Sequence, residues 1–189
     1  MKKFILALTA VAVVSAANAA SVGWSLAGAT NYAGDLYQFF VIGQNGVEAK
    51  TIDSVEYSAI GALQLLLDQG EDVSAYAFGS GTVNTAGSAT VVAANSGKSL
   101  DAGTYTGFYV IYDSAAPVAG SAKYALVSGA TGLTQTFAAT KASVTFAAAN
   151  QANYLNNSSN WQTYGVPEPT TVALLALGLA AVGLKRKVA

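Results

Sequence analysis

A chain of 189 residues is long enough for one domain and short for two. It contains no Cys and no His, which excludes disulfides, thiol nucleophiles, the classical catalytic triads and zinc sites. Residues 20–166 carry nine acidic residues and four lysines, a net charge of −5 spread along the chain. Nucleic acid needs clustered basic residues, so this balance argues against a nucleic-acid partner.

The first twenty residues have the pattern of a secretory signal peptide. Lys2 and Lys3 precede the uncharged, mostly apolar run 4–14, and Ala17-Asn18-Ala19 provides a small-x-small site for signal peptidase. We expect cleavage after Ala19, which makes residues 1–19 a signal peptide. The alternative is a buried first helix, but the basic start, the apolar core and the cleavage site occur in the order that export requires.

The region 20–149 reads as a β-rich passenger domain. Seven segments are rich in Val, Tyr, Phe and Thr and are separated by Gly-rich turns, as strands of an exported β-protein are. We expect strands within residues 21–29, 36–43, 74–83, 89–94, 104–112, 122–129 and 143–149. Residues 104–112 are apolar on both alternating faces, which places them at the centre of a sheet. The predicted fold class is mainly β, a β-sandwich or jelly-roll-like domain.

One amphipathic helix is predicted at about 52–69. Apolar residues recur there at helical spacing; they are Ile52, Val55, Ala59, Ile60, Leu63, Leu66 and Leu67. Asp53 and Glu56 have the spacing of a capping box, and Gly70 is a natural stop. We expect the stripe to pack on one edge or face of the sheet. The polar, Asn-rich segment 150–165 predicts a linker.

The region 166–189 holds an unusual tail. Pro167 and Pro169 force an extended chain at Glu168, and an uncharged run follows over about 170–184. Residues 172–184 alone cover roughly 20 Å of helix against roughly 30 Å of hydrocarbon, so a membrane span is marginal. Lys185, Arg186 and Lys187 then form a basic stop that stays on the cytoplasmic side.

Pro167-Glu168-Pro169, the short apolar segment and Lys185-Arg186-Lys187 together closely resemble the PEP-CTERM sorting signal. The resemblance covers the last twenty-four residues or so and nothing upstream. It implies a membrane-anchored precursor in a bacterial cell envelope and processing by an exosortase, a membrane-embedded cysteine enzyme that cleaves and transfers exported proteins. The alternative is an ordinary short tail anchor. Proteins with this signal carry many unrelated passengers, so the tail indicates a destination and not an activity.

The passenger offers two possible chemistries. A glycosidase needs only two facing carboxylates, and the acids available are Asp35, Asp53, Glu56, Asp68, Glu71, Asp72, Asp101 and Asp113. Most of them fall in predicted turns or helix ends, where acids are ordinary, and Asp113 is the least ordinary because it ends the central strand. Aromatic rings also stack on sugar faces, and Trp24, Trp161 and Tyr164 are the rings whose exposure would indicate carbohydrate binding.

These observations favour a non-enzymatic protein of the cell surface or extracellular matrix. The sequence predicts no catalytic, cofactor-binding or metal-binding residue and no cofactor. Its expected partners are signal peptidase, an exosortase-type sorting enzyme, the membrane for a limited time, and extracellular polysaccharide. The alternative function is a carbohydrate-binding module that acts on that polysaccharide, and a two-carboxylate glycosidase comes third.

Overall fold

The computed structural model describes residues 20–84, 88–91, 99–138 and 143–165. The predicted signal peptide (1–19) and the tail (166–189), with its predicted sorting signal and apolar segment, lie outside the described residues. Within the described residues, no helix is both long and apolar enough to cross a membrane.

The described residues are mainly β, with twelve strands and two α-helices. The strands are β1 Ala20–Ala27, β2 Leu36–Val41, β3 Lys50–Ile52, β4 Val55–Tyr57, β5 Gly79–Thr82, β6 Ser88–Val91, β7 Ser99–Leu100, β8 Gly103–Tyr112, β9 Lys123–Val127, β10 Thr134–Phe137, β11 Ser143–Ala148 and β12 Trp161–Thr163. The helices are α1 Ala59–Asp68 and α2 Ala152–Leu155. All seven predicted strand segments contain a strand, although the one predicted at 74–83 begins with a 3-10 turn, Ser74–Tyr76.

The strands form two larger sheets and one hairpin. A six-stranded sheet has the order β12-β9-β8-β2-β5, with β10 also paired to β8. A four-stranded sheet has the order β11-β1-β6, with β7 also paired to β1, and β3 pairs with β4. This arrangement is consistent with a β-sandwich. The β1–β11 pair is parallel, which departs from the wholly antiparallel pairing of a simple jelly-roll.

Two cores lie on opposite faces of the six-stranded sheet. The inner core, between the two sheets, includes Trp24 and Leu26 of β1, Phe39 of β2, Tyr109 of β8 and Phe146 of β11. The helix core, between the sheet and α1, contains Phe40, Phe108, Val110, Leu63 and Leu67. Successive side chains of a strand point to opposite faces, so β2 and β8 must be apolar on both. This confirms that residues 104–112 are central and that the helix covers a sheet face.

The predicted helix boundary at residue 52 is wrong. Residues 50–57 form the β3–β4 hairpin, whose turn residues Asp53 and Ser54 have φ of 49° and 67°, as a type I′ turn requires. The helix starts after Ser58, whose Oγ accepts the Gly61 N–H at 3.1 Å, so Asp53 and Glu56 do not cap it. Val55 is 52% exposed and is not part of the packed stripe.

The predicted helix end is confirmed. Gly70 has a φ of 77°, which favours glycine. Its N–H donates to the Leu67 carbonyl at 3.0 Å, and the Glu71 N–H donates to the Leu66 carbonyl at 2.9 Å. These two bonds form a Schellman motif, which satisfies carbonyls that the last turn leaves free.

The prediction of a linker over 150–165 is also wrong. This segment holds α2, the 3-10 turn Ser158–Asn160 and β12, which pairs antiparallel with β9. Leu155 is fully buried in the inner core. Tyr154 donates its hydroxyl to the Leu126 carbonyl at 2.8 Å, so a segment of polar composition is held by a buried anchor, strand pairing and side-chain hydrogen bonds.

Candidate functional site

Two of the three aromatic residues singled out in the sequence belong to the cores. Trp24 is 2% exposed and stacks on Phe39 with ring centroids 5.3 Å apart. Tyr164 is 7% exposed and meets the ring of Tyr112 edge-on at 5.6 Å. Only Trp161 is partly open to solvent. The aromatic content therefore serves packing at Trp24 and Tyr164, and Trp161 marks the place to look for a ligand.

Trp161 lines an open groove of about 220 Å³. We call it the tryptophan groove; it is lined by Tyr32, Asp113, Lys123, Leu155, Asn156, Ser158 and Trp161. The Tyr32 and Trp161 rings stack with centroids 4.6 Å apart and planes 27° apart. The Leu155 carbonyl accepts from the Tyr32 hydroxyl at 2.9 Å and from Trp161 Nε1 at 2.6 Å, so both rings are fixed in position.

The carboxyl groups of Asp113 and Asp35 influence the electrostatics of the tryptophan groove. Asp113 Oδ1 accepts the Lys123 backbone N–H at 2.7 Å, which holds the carboxyl group in the wall. Burial, and then the charge of Asp113, raise the pKa of Asp35 above its usual range. Burial and the same two carboxylates also raise the pKa of Tyr32. The fold therefore brings Asp113 and Asp35 within electrostatic reach of each other.

The other acids are placed in structural or exposed positions. Asp68 Oδ1 lies 2.6 Å from the Tyr124 hydroxyl. Asp72 Oδ1 accepts the Ser74 N–H at 2.9 Å, which lowers the pKa of that carboxyl. Asp53 and Glu56 lie in the β3–β4 hairpin, and Glu71 and Asp101 are exposed outside strands and helices. Among the described residues, no group of three or more acidic side chains is arranged to hold a metal ion.

A second groove, of about 270 Å³, lies between α1, β9, β12 and the segment 154–160. We call it the amide groove; its polar lining is Gln64, Tyr124, Ser128, Tyr154, Ser159, Asn160 and Gln162. Gln162 Oε1 accepts from Gln64 Nε2 at 2.8 Å and lies 2.7 Å from the Tyr124 hydroxyl oxygen. The Tyr154 ring, 37% exposed, forms part of the wall.

The segment 154–162 separates the two grooves. Trp161 packs toward the inner core, whereas the next residue, Gln162, reaches Tyr124 and Gln64 on the helix side. This follows from the alternation of side chains along β12. Sequence reasoning missed both grooves because it treated this segment as a linker. Two signals were available: Tyr154 and Leu155 in an Asn-rich stretch, and the β-prone triplet Trp161-Gln162-Thr163.

Comparison with known families identifies the end of the chain. Residues 165–187 match the PEP-CTERM protein-sorting motif, which includes Pro167, Glu168, Pro169 and the basic residues Lys185, Arg186 and Lys187. No curated protein and no solved structure matches the chain. The chain carries a PEP-CTERM sorting motif and is thus an exported, envelope-associated protein that an exosortase-type enzyme processes. The motif residues and the predicted signal-peptidase site at Ala17 and Ala19 lie outside the described residues.

Proposed function

We propose that the β-rich body is a non-enzymatic component of the cell surface or extracellular matrix. The PEP-CTERM match at residues 165–187 carries this proposal, because it gives the protein a destination outside the cytoplasm. The body contributes a framework with two aromatic cores. Three of its nine acids serve the framework: Asp68, Asp72 and Asp113 each accept a hydrogen bond from a neighbouring element or turn.

The route to the surface follows from the two ends of the sequence. Signal peptidase removes residues 1–19 at the site formed by Ala17 and Ala19. The segment 170–184 then holds the precursor in the membrane for a limited time, with Lys185, Arg186 and Lys187 on the cytoplasmic side. The exosortase-type enzyme acts at Pro167, Glu168 and Pro169 and releases the body to the surface or matrix.

Intact-mass spectrometry of the protein from its native host tests this proposal. We expect a mature N-terminus at Ala20, loss of the residues beyond the sorting motif, and recovery in the envelope or matrix fraction. A chain with both original ends in the cytoplasmic fraction would contradict it. Sugar release from extracellular polysaccharide, lost in both Asp35→Asn and Asp113→Asn, would instead support a two-carboxylate glycosidase.

Carbohydrate binding is the second candidate function, and the tryptophan groove favours it. A partly exposed Trp161, held against Tyr32, stands beside the Asp113 carboxylate and Lys123. An aromatic face with a few convergent polar groups is the usual composition of a small-ligand site. The test is retention on immobilised extracellular polysaccharide. We expect Trp161→Ala to reduce retention and Tyr57→Ala, outside the groove, to leave it unchanged; equal retention of both variants would exclude this groove.

A further inference from the structure

We propose that the amide groove is a binding site for an uncharged sugar unit. This inference goes beyond the surface role proposed above and does not depend on the tryptophan groove. Its basis is the combination of two side-chain amides with hydrogen-bonding atoms that no described residue uses, an anchored tyrosine ring, and a described lining beside which the Asp68 carboxylate is already engaged.

The two amides form a fixed pair across the groove. Gln64 projects from α1 and Gln162 from β12, and Gln64 Nε2 donates to Gln162 Oε1 at 2.8 Å. The Tyr124 hydroxyl, on β9, approaches the same oxygen at 2.7 Å. Three elements that are distant in sequence therefore fix the orientation of both amide planes before any ligand arrives, which lowers the entropy cost of binding.

The pairing of Gln64 with Gln162 leaves one hydrogen-bond donor and one acceptor that a ligand can use. Each side-chain amide has two donor hydrogens and an acceptor oxygen. Among the described residues, no hydrogen bond uses Gln162 Nε2 or Gln64 Oε1. A donor and an acceptor thus stand on neighbouring side chains. Vicinal sugar hydroxyls donate and accept in the same way, so they match this pair.

The ring of Tyr154 provides the apolar contact. Its hydroxyl donates to the Leu126 carbonyl at 2.8 Å, and the ring stays 37% exposed. The half-buried side chains of Ile60 and Leu126 continue the same wall. A pyranose presents C–H groups on its faces and hydroxyls at its edges, so it can meet the ring and the amide pair together.

The charge and size of the groove restrict the ligand further. Ser128, Ser159 and Asn160 complete a neutral lining. Asp68 lies behind Tyr124, whose hydroxyl is 2.6 Å from its carboxylate, and it would repel an anionic ligand. The volume of about 270 Å³ is just below the roughly 300–1,000 Å³ of pockets for drug-sized ligands. A single uncharged sugar unit of a longer chain fits these limits.

Calorimetric titration of the full chain in lipid nanodiscs tests the site. The probes are cellohexaose, laminarihexaose and isomaltohexaose, three uncharged oligosaccharides with different linkages. Ser128 is exposed, so Ser128→Trp fills the groove without removing a described hydrogen bond. Gln162→Met removes the amide and keeps the length of the side chain. Ser80→Trp, at an exposed position of β5 outside both grooves, is the matched control for Ser128→Trp. Trp161→Phe reports on the tryptophan groove.

We expect at least one hexaose to bind. Ser128→Trp and Gln162→Met should each weaken that binding about tenfold or more, equivalent to at least about 1.4 kcal/mol, while Ser80→Trp and Trp161→Phe leave it unchanged. The inference is overturned if none of the three probes binds, or if Trp161→Phe abolishes binding that Ser128→Trp retains. The surface role is judged separately, from the mature mass and location of the protein, so either proposal can fail alone.

Discussion

The hydroxyl of Tyr164 donates to the carbonyl oxygen of Gly70 at 3.0 Å, which joins the last turn of the described fold to the end of helix α1. The next residue, Gly165, donates its N–H to the Leu67 carbonyl at 3.0 Å. The PEP-CTERM match begins at this same residue 165. The folded body therefore extends up to the sorting motif, and no free spacer intervenes in the described residues.

We predict that residues 20–165 fold alone, whereas residues 20–149 do not form a stable domain. The shorter chain lacks buried Leu155 and Tyr164 and the β12 strand. Loss of one buried Leu side chain costs about 2–5 kcal/mol, a large share of the roughly 5–15 kcal/mol that stabilises a domain. Circular dichroism should show a mainly β spectrum with a cooperative melt for 20–165. An equally stable 20–149 chain would restore the linker interpretation.

Substitutions at Ser58 and at Asp53 should affect the stability of helix α1 differently. Ser58→Ala removes the Oγ that accepts the Gly61 N–H and should lower the free energy of unfolding by about 1 kcal/mol. Asp53→Asn keeps a residue that tolerates the positive φ of 49° and should be nearly neutral. Urea unfolding of the 20–165 chain measures both. An unchanged free energy of unfolding in Ser58→Ala would contradict the cap at Ser58.

The contact between Gly79 and Trp24 predicts a strict size limit in the inner core. A Cβ on Gly79 would overlap Cζ2 and Cη2 of the Trp24 ring, which is fixed by its stack on Phe39. Gly79→Ala should destabilise the domain by about 1–3 kcal/mol, the usual cost of overpacking. Gly23→Ala is the matched control, because its nearest neighbour is the Thr145 side chain at 3.2 Å. Equal thermal midpoints for the two variants would contradict the packing described.

Asp35 and Asp113 predict a specific response to pH. Burial and Asp113 raise the pKa of Asp35 in the folded state, so the ionised Asp35 costs stability, and stability falls as pH rises through that raised pKa. Asp113→Asn removes one charge and keeps an oxygen for the Lys123 N–H. The pKa of Asp35 should then move down toward its ordinary value, but only partly, because burial is the larger cause.

Carboxyl-carbon NMR titration of Asp35 measures this shift directly. Asp101→Asn, an exposed acid outside the groove, is the control and should leave the Asp35 titration unchanged. The free energy of unfolding should also fall less between acidic pH and pH 7 in Asp113→Asn than in the unsubstituted protein. An Asp35 pKa that stays unchanged or rises in Asp113→Asn would show that the two carboxylates do not interact.

The sequence predicted the sheets better than the connections, for a physical reason. Strands β2 and β8 carry Phe40 and Phe108 on one face and Phe39 and Tyr109 on the other, so composition alone reveals strands covered on both sides. The β3–β4 hairpin was hidden because Ile52 and Val55 happen to continue the helical spacing of α1. The positive φ angles at its turn and the pairing of β3 with β4 separate the two interpretations, and sequence spacing reports neither.

The two candidate grooves were missed for a different reason. Each groove is assembled from distant parts of the chain, as Tyr32, Asp113 and Trp161 are in one and Gln64 and Gln162 in the other. Their side chains come together only through the pairing of β12 with β9 and the packing of α1. The polar composition of 150–165 concealed this, because Leu155 anchors the segment without any periodic apolar pattern.

We predict that processing depends on the residues of the sorting motif. Replacing Pro167, Glu168 and Pro169 with Ala should leave a full-length, membrane-bound protein. The reason is that the extended Pro-Glu-Pro segment before the apolar segment is lost. Replacing Lys185, Arg186 and Lys187 with Gln should reduce retention of the precursor, because nothing then holds the tail on the cytoplasmic side. Intact mass and fractionation in hosts with and without the sorting enzyme measure both effects.

Because the fold reaches Gly165, the distance between body and motif should also matter. Inserting about eight Gly and Ser residues after Gly165 adds a flexible tether. This insertion should speed processing, because the folded body then no longer hinders access of the enzyme to the sorting motif. Inserting the same residues after Gly129, an exposed turn position of positive φ, is the control and should leave the rate unchanged. If a wild-type host containing an exosortase retains the intact Lys185-Arg186-Lys187 end, the tail acts as a plain membrane anchor and this account of its processing is wrong.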